Sequence, residues 1–361
     1  MRLTAFVATV LLAFAARAQE PPVVNVYNWT DYIDDQAIAI FTAETGIKVN
    51  YDTYDSNETL DAKLRAGKSG YDLVVPTASP FLANQISARL YQPIDRSKLP
   101  NYVDLDRAIL KRLSVYDPGN RHAVPWMWGT TGIAYNVQKI KEAMPNAPVD
   151  SLAMVFDPGV AARFKSCGIV MLDSPTDVFP EVLAWLKLNP DSDNPEDLEK
   201  AVATLLSVRP FIRKFHSSEY VNDLATGDAC LAIGFSGDVA QAARRAKAAK
   251  NGVEIAYRVP KEGAQMWIDA WAIPADAPHP GNAHRFLDFV MRPEIAALNS
   301  NSIGYANANG EADQFVDADI LKDPGIYPDE ETMARLFTVS PKQQAYERLR
   351  TRAWTRVTSG R

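Results

Sequence analysis

The sequence predicts a two-lobed α/β protein with a cleft between the lobes. Strands and helices alternate over the first hundred residues and again in the middle of the chain, which is typical of sheets covered by helices. Two extended runs without a helical period, residues 123–136 and 266–274, interrupt this alternation and predict crossings between lobes. Such proteins bind ligands at the carboxyl ends of their strands, so the loops that follow the strands are the expected site.

The first element is a predicted export signal. Arg2 precedes an apolar run from Leu3 to Ala16, and Ala16 and Ala18 form an A-x-A-like cleavage pattern. The apolar run falls short of the roughly 20 residues that a membrane-spanning helix needs. Residues 1–18 are therefore predicted to be a signal peptide, cleaved after about Ala18.

The next elements alternate in type. "VVNVYNW" is a predicted strand, and "DDQAIAIFTAETG" a helix that begins after Asp34 and ends at Gly46. "IKVNYDTY" is a second strand, and "SNETLDAKLRAG" a helix capped by Ser56 and ended by Gly67. "YDLVVPTAS" is a buried strand that runs into a loop, and "DACLAIGFSGDVAQAARRAKAAK" is a later strand, turn and helix.

The crossings divide the chain into lobes. Lobe 1 is predicted to hold residues 19–127 and 268–300, and lobe 2 residues 128–267 and 301–361, including C-terminal helices. The hinge is expected near residues 126–131 and 266–272.

Charge and composition limit the kind of partner. The chain has 38 basic and 44 acidic residues, and without Arg2 and Arg17 of the signal the net charge becomes −8. A negative surface disfavours nucleic acid and anionic membrane as partners, and mildly favours cations.

Cysteine and histidine give no metal-binding pattern. An exported chain with two cysteines, Cys167 and Cys230, predicts one disulfide, and two buried thiols are the alternative. There is no C-x-x-C, and no ligand spacing among the four histidines, which are His122, His216, His279 and His284. No metal or other cofactor is expected.

Three predicted strand ends carry an aromatic residue followed two or three positions later by aspartate: Trp29 with Asp31, Phe235 with Asp238, and Trp267 with Asp269. Alternation along a strand puts Trp267 and Asp269 on one face. Rings attract an organic ammonium for about 0.5 to 2 kcal/mol each, and carboxylates accept its charged hydrogen bonds. The pattern favours an aliphatic amine as ligand.

Two other interpretations fit the same residues. The aspartates could cap helices while the rings pack in the core. Carboxylates among aromatic rings also describe a secreted glycosidase, which would use two of Asp31, Asp177, Asp238 and Asp269. Other enzyme signals are absent from the sequence: it has no G-x-S-x-G, no Walker loop and no G-x-G-x-x-G that opens a helix.

The chain resembles the periplasmic polyamine-binding proteins, the substrate-binding subunits of putrescine and spermidine ABC importers. The resemblance covers nearly the whole mature chain and includes "YNWTDYI", "TGIKVNYDTYDSNE", "YDLVVPTAS", "MWGTTGIAYN", "FHSSEYVNDLATGDACLAIGFSGDV", "KEGAQMWIDAWAIPADA", "YANAN", "PGIYP" and "RTRAWTRV". So many motifs in the same order are far more specific than any one of them.

This resemblance implies a type II periplasmic binding protein fold, with a mixed sheet flanked by helices in each lobe. It implies a periplasmic monomer, without catalytic activity or a nucleic-acid partner, whose lobes close on a linear polyamine and which delivers that ligand to a membrane permease. A polyamine sensor with the same fold is a further possibility.

The resemblance also implies the ligand-binding residues. They are Trp29, Thr30, Asp31, Tyr32, Thr77, Ser79, Asp177, Ser217, Phe235, Asp238, Trp267, Asp269 and Tyr305. Putrescine binders commonly have serine at Thr30, glutamate at Asp177, tryptophan at Phe235 and phenylalanine at Trp267, and Pro80 resembles an insertion. These departures leave the choice between putrescine and spermidine open.

Overall fold

The computed structural model of the chain describes residues 20–360. The predicted signal peptide, residues 1–18, lies outside the described residues, so its cleavage stays a prediction. Among the helices that are described, none is long and apolar enough to cross a membrane.

Strands and helices alternate along the chain as follows. The first part holds β1 (Val23–Trp29), α1 (Asp35–Thr45), β2 (Lys48–Tyr54), α2 (Asn57–Arg65), β3 (Leu73–Val74), α3 (Ala83–Ser87), α4 (Arg107–Leu113) and β4 (Ala123–Asn136). The middle holds α5 (Val137–Ala143), α6 (Ala153–Phe156), α7 (Pro158–Ala161), β5 (Ile169–Met171), α8 (Pro175–Trp185), α9 (Pro195–Val208), β6 (Ile212–Phe215), α10 (Tyr220–Thr226), β7 (Leu231–Phe235), α11 (Ser236–Ala249) and β8 (Ile255–Arg258). The last part holds β9 (Ala264–Ala272), α12 (Pro280–Val290), α13 (Pro293–Ile303), β10 (Ala306–Asn307), α14 (Ala318–Leu321), α15 (Glu330–Arg335), β11 (Leu336–Phe337) and α16 (Gln344–Ser359).

One mixed sheet runs through both lobes in the order β2-β1-β3-β9-β4-β7-β5-β6. The strands β1, β2 and β3 are parallel to one another, and so are β5, β6 and β7. Between these groups, β9 and β4 pair antiparallel. The carboxyl ends of both parallel groups border the space between the lobes, which agrees with the predicted fold class.

Short-range chemistry sets the helix ends as the sequence predicts. The Asp34 carboxylate accepts a hydrogen bond of 2.6 Å from the Gln36 backbone N–H at the start of α1. Gly46 ends that helix with φ 68°, a left-handed conformation that glycine adopts without steric cost. Ser56 caps α2 by accepting a 3.2 Å hydrogen bond from Thr59 N–H.

Each lobe has its own apolar core. The second-lobe core holds residues from Ile133 to Ile233 and the C-terminal helix α16, which packs there through Trp354 and Val357. Two clusters in the first lobe cover the two faces of β1, β3 and β9. A disulfide joins Cys167 to Cys230, which confirms the predicted pairing and ties the chain before β5 to the start of β7.

Within residues 20–360, the chain passes between the lobes three times. Strand β4 pairs with β9 over residues 123–130 and with β7 and β8 over residues 131–136, and β9 runs beside it. The sequence analysis did not predict a third crossing, residues 336–343. There Val339 O accepts hydrogen bonds from Ser79 in the first lobe and from Tyr116, while Ser340 N–H donates to Asp191 of the second lobe at 2.7 Å.

The predicted lobe boundaries differ from the packing in one segment. Ala306, Ala308 and Ile326 lie in a first-lobe cluster with Tyr54 and Leu60, although residues 301–361 were assigned to lobe 2. We therefore propose that the segment 304–328 belongs to the first lobe and that α16 belongs to the second.

Candidate functional site

A cavity lies between the two lobes and encloses about 930 Å³ of empty space, counting the part open to solvent. All thirteen residues of the predicted ligand site line it: Trp29, Thr30, Asp31, Tyr32, Thr77, Ser79, Asp177, Ser217, Phe235, Asp238, Trp267, Asp269 and Tyr305. Their role in binding stays a prediction, but the residues that the resemblance implies do meet in one place.

Asp269 is the most buried of the carboxylates that line the cavity, at 4% exposure. Its Oδ1 accepts a 2.6 Å hydrogen bond from the Thr77 hydroxyl, and Thr77 is itself held by the Asn57 amide at 2.9 Å. Burial raises the pKa of Asp269 to about 7, against an ordinary value of 3.8. The prediction that Trp267 and Asp269 end a strand is wrong, because both lie in the middle of β9.

Asp238 lies in the first turn of α11, where two tyrosine hydroxyls bind it. Tyr305 donates to Oδ1 at 2.6 Å and Tyr220 to Oδ2 at 2.8 Å. Phe235, not Asp238, is the N-cap residue, so the carboxylate faces the cavity and does not serve as the cap. Burial raises its pKa to about 6, although both tyrosine hydrogen bonds act to lower it.

Asp177 is in the first turn of α8 and accepts a short hydrogen bond from the Ser174 hydroxyl. Burial raises its pKa to about 6, while the Ser174 hydrogen bond and the more distant charge of Arg350 act to lower it. Arg350 forms its ion pair with Glu347 instead.

Asp31 differs from the other carboxylates of the cavity. Its side chain is 54% exposed and its Oδ2 lies 2.6 Å from Arg245 Nη2, on helix α11 of the opposite lobe. Its backbone has φ 56°, a conformation that Asp adopts more readily than most residues. The Asp31 carboxylate therefore joins the lobes at the edge of the cavity and is already paired with a cation.

Besides Thr77, three predicted hydroxyl ligands have partners within the protein. Ser79 donates to Val339 O of the third crossing, and Ser217 Oγ accepts a 3.2 Å hydrogen bond from Asp173 N–H. Thr30 donates weakly to Tyr54 O at 3.3 Å. These side chains line the cavity while they also hold its walls.

Aromatic rings form a continuous wall. The Trp267 ring packs edge to face against Phe235 at 5.6 Å and against Tyr305 at 5.3 Å between ring centroids. Tyr305 contacts Tyr32 in the same way at 5.2 Å. On the first-lobe side, Trp29 is fixed by a 2.9 Å hydrogen bond from its indole N–H to Val75 O. The ring surfaces that line the cavity would pack against the methylenes of an aliphatic ligand.

The charges of the cavity are unbalanced. Within residues 20–360, no lysine or arginine forms an ion pair with Asp177, Asp238 or Asp269. Burying a carboxylate is costly unless a cation or hydrogen-bond donors compensate it. A cation with several N–H donors would supply what is missing. The described residues include no group of His, Cys, Asp and Glu arranged to hold a metal ion.

The sequence analysis did not predict the other twelve residues that line the cavity. These residues are Tyr54, Asp55, Ser56, Asn57, Glu58, Asp173, Ser174, Thr176, Ser218, Val221, Gln241 and Gln265. Most of them follow the carboxyl ends of β2, β5 and β6. The expectation that ligands bind at the carboxyl ends of strands therefore applies to these residues as well. Gln265 precedes Trp267 by two residues, and the same alternation would have placed it on the same face of β9.

Comparison with known proteins agrees with this architecture. The family model described as bacterial extracellular solute-binding protein matches residues 36–328. The chain belongs to this family. Among relatives, a putrescine-binding periplasmic protein of Pseudomonas aeruginosa (strain UCBPP-PA14) is 49% identical, covering 97% of this chain and 95% of its own length. A putrescine-binding periplasmic protein of Escherichia coli (strain K12) is 48% identical, covering 99% and 98%.

A solved structure gives the same result for the fold. A putative spermidine/putrescine ABC transporter from Listeria monocytogenes superimposes with a TM-score of 0.85 at 29% identity, over 94% of this chain and 100% of that chain. The resemblance to periplasmic polyamine-binding proteins, noted from the motifs, is confirmed by these family members.

Proposed function

We propose that the protein captures linear polyamines, putrescine or spermidine, and delivers them to an ABC importer. The observation that carries this proposal is the group of three carboxylates, Asp177, Asp238 and Asp269, in a cavity walled by rings. None of them forms an ion pair with a lysine or arginine of residues 20–360. Ammonium groups would bind the carboxylates and methylenes would pack on the rings. The names of the relatives support the same ligand class.

The proposal includes a place in the cell and a partner. Relatives named as periplasmic proteins, together with the signal-like residues 1–18, support export to the periplasm with cleavage near Ala18. A membrane permease would receive the ligand, and the receptor would act as a monomer, without nucleic acid.

We further propose that the chain is a receptor without catalytic activity. The named relatives are binding proteins, and this supports capture over the glycosidase alternative. Release of reducing sugar from an oligosaccharide would instead support the enzyme.

Calorimetry tests the proposal. Protein that has been unfolded and refolded, to remove amine retained from the expression host, is titrated with putrescine, cadaverine, spermidine and spermine. We expect saturable binding of at least one of them at one site per chain. Binding of none by correctly refolded protein would refute the function.

A further inference from the structure

A fully buried carboxyl lies outside the cavity lining and has no part in the function proposed above. Glu181 is in α8, one helical turn after Asp177, and none of its surface is exposed. Its Oε1 accepts a 2.8 Å hydrogen bond from the Gln265 backbone N–H of β9. Its Oε2 has no hydrogen-bond partner among residues 20–360. One oxygen of this carboxyl is therefore unsatisfied inside the protein, which is costly unless a donor or a proton compensates it.

The surroundings of Glu181 disfavour a negative charge. Within the described part of the chain, no lysine, arginine or histidine forms an ion pair with it. Burial raises the pKa of this carboxyl well above its ordinary value; the Gln265 hydrogen bond acts to lower it, and the charges of Asp177 and Glu262 add to the rise. Besides burial, the charge of Glu181 acts to raise the pKa of Tyr257 on β8. An ionised Glu181 would be a second buried anion near Asp177 without a counterion, so the neutral acid is the favoured form.

The residue that binds Glu181 has an unsatisfied oxygen of its own. Gln265 is 3% exposed, and its side-chain Oε1 has no hydrogen-bond partner in the described chain. A protonated carboxyl has one O–H donor, and an amide oxygen is an acceptor. A single proton on Glu181 Oε2, donated to Gln265 Oε1, would satisfy both orphaned oxygens. The acid would then bind Gln265 twice, through its backbone N–H and through its side chain.

The contact between Glu181 and Gln265 joins two elements that carry cavity residues. Asp177 lines the cavity and lies four residues before Glu181, about 6 Å along α8. On β9, Gln265 and Trp267 lie on one face and both line the cavity. Gln265 also pairs with Phe337 of β11, at the start of the third crossing. The Glu181 carboxyl therefore holds α8 against the place where two of the three crossings leave the second lobe.

We propose that Glu181 is a positioning residue, a neutral acid whose two oxygens both bind Gln265. It keeps Asp177 of α8 at a fixed distance from Trp267 of β9, and it does not contact the amine. This inference rests on the proposed function and adds to it a residue outside the cavity. Such support matters because binding groups must be held within about 0.5 Å of their productive geometry.

Calorimetry with putrescine and spermidine tests this role on three glutamate variants. The amide of Glu181→Gln can accept from Gln265 N–H and donate to its Oε1, so we expect affinity within about twofold of the wild type. Glu181→Leu can do neither, and we expect about tenfold weaker binding because α8 and β9 can shift. Glu262→Leu is the matched control and should keep its affinity, since the Glu262 carboxyl accepts from Leu152 N–H at 3.1 Å in the same lobe but outside the cavity.

A charged Glu181 would give the opposite result in Glu181→Gln. If the charge itself attracted the amine, Glu181→Gln would weaken binding as much as Glu181→Leu, and this result would overturn the proposal. Unchanged affinity in Glu181→Leu would overturn it as well. Thermal unfolding of each variant distinguishes a displaced site from a loss of folded protein.

Infrared difference spectroscopy detects the proton on Glu181 without any ligand. The spectrum of the wild type minus that of Glu181→Gln, at neutral pH, should show the C=O stretch of a protonated carboxyl. Carboxylate bands in its place would overturn the positioning role and leave the proposed function standing. If Glu181→Leu does not fold, this spectrum and the affinity of Glu181→Gln decide the matter. Binding of neither amine by the wild type would instead refute the proposed function, whatever the spectrum shows.

Discussion

At the scale of single residues, the carboxylates of the cavity are held by neutral donors. Hydroxyls of Thr77, Ser174, Tyr220 and Tyr305 donate to them, which fixes each side chain without neutralising its charge. The negative charge of each carboxylate would then be available to a cationic ligand. Burial raises the pKa values of Asp177, Asp238 and Asp269, and these hydrogen bonds offset that rise only in part.

Asp269→Ala should weaken polyamine binding by more than about 2 kcal/mol, because it leaves an ammonium unpaired in a buried position. Calorimetry with the amine that binds the wild type best measures the loss. Asp276→Ala is a useful control, since that carboxylate lies outside the cavity. An unchanged affinity in Asp269→Ala would show that the ammonium sits elsewhere.

Binding should weaken as the pH falls. The pKa of Asp269 is raised to about 7, so its carboxyl is mostly ionised at pH 8 and mostly protonated at pH 6, while an aliphatic amine stays charged throughout. Binding an ammonium requires the ionised form, so protonation of Asp269 alone should raise the dissociation constant about tenfold from pH 8 to pH 6. Asp177 and Asp238, whose pKa values are raised to about 6, should add to that rise. Calorimetry at the two pH values measures this, and equal affinities would contradict the raised pKa.

At the scale of secondary structure, a glycine allows α11 to approach the first lobe. A Cβ at Gly237 would lie 2.4 Å from the Tyr305 ring, and the hydroxyl of that ring binds Asp238. Contacts this close are possible only without a side chain. The glycine thus permits the hydrogen bond that links the two lobes across the site.

Gly237→Ala should lower polyamine affinity by about 5- to 150-fold, since overpacking of this kind costs about 1–3 kcal/mol. The helix itself should tolerate alanine, which has the higher helix propensity. Gly310→Ala is the matched control, because a Cβ there would meet nothing closer than 3.5 Å. Wild-type affinity in Gly237→Ala would mean that Tyr305 is free to move away.

The disulfide should stabilise the second lobe without taking part in binding. It closes a loop with a sequence separation of 63, for which chain entropy gives about 4 kcal/mol. The double variant Cys167→Ser, Cys230→Ser should lose roughly this free energy of unfolding in denaturant titrations. Polyamine affinity well below the midpoint should stay near that of the wild type, because neither cysteine lines the cavity; a large loss of affinity would point to a wider role.

The elements also show what could be predicted from sequence. Helix caps such as Asp34 and Ser56 were predictable because their chemistry is local. The site at the ends of β1 and β7 followed from the recurring aromatic–aspartate pattern and from the resemblance. Residues 336–343 were missed because they have no period of their own, and their partners Ser79 and Asp191 are distant in sequence.

At the scale of the whole molecule, the two lobes meet along one face of α11. Besides the Asp31 ion pair, Arg244 donates to Ser302 O at 2.7 Å, and Tyr305 reaches Asp238. These contacts connect the two lobes in addition to the three chain crossings. Ligand contacts to both lobes would favour this closed arrangement by population shift.

Small-angle X-ray scattering should therefore show a smaller radius of gyration after a polyamine is added to ligand-free protein. Asp269→Ala at the same amine concentration should show little change, since it should bind weakly. Identical scattering from free and fully bound wild type would contradict closure.

The third crossing has a consequence for how the lobes can move. Two neighbouring strands such as β4 and β9 can twist as well as bend, but residues 336–343 attach the lobes at an additional place, through Ser79 on one side and Asp191 on the other. Because the lobes are connected at three places, twisting of one lobe against the other is restricted, and a single hinge rotation remains as the main motion. The two halves of the cavity would then meet in register each time, and less orientational entropy would be lost on capture.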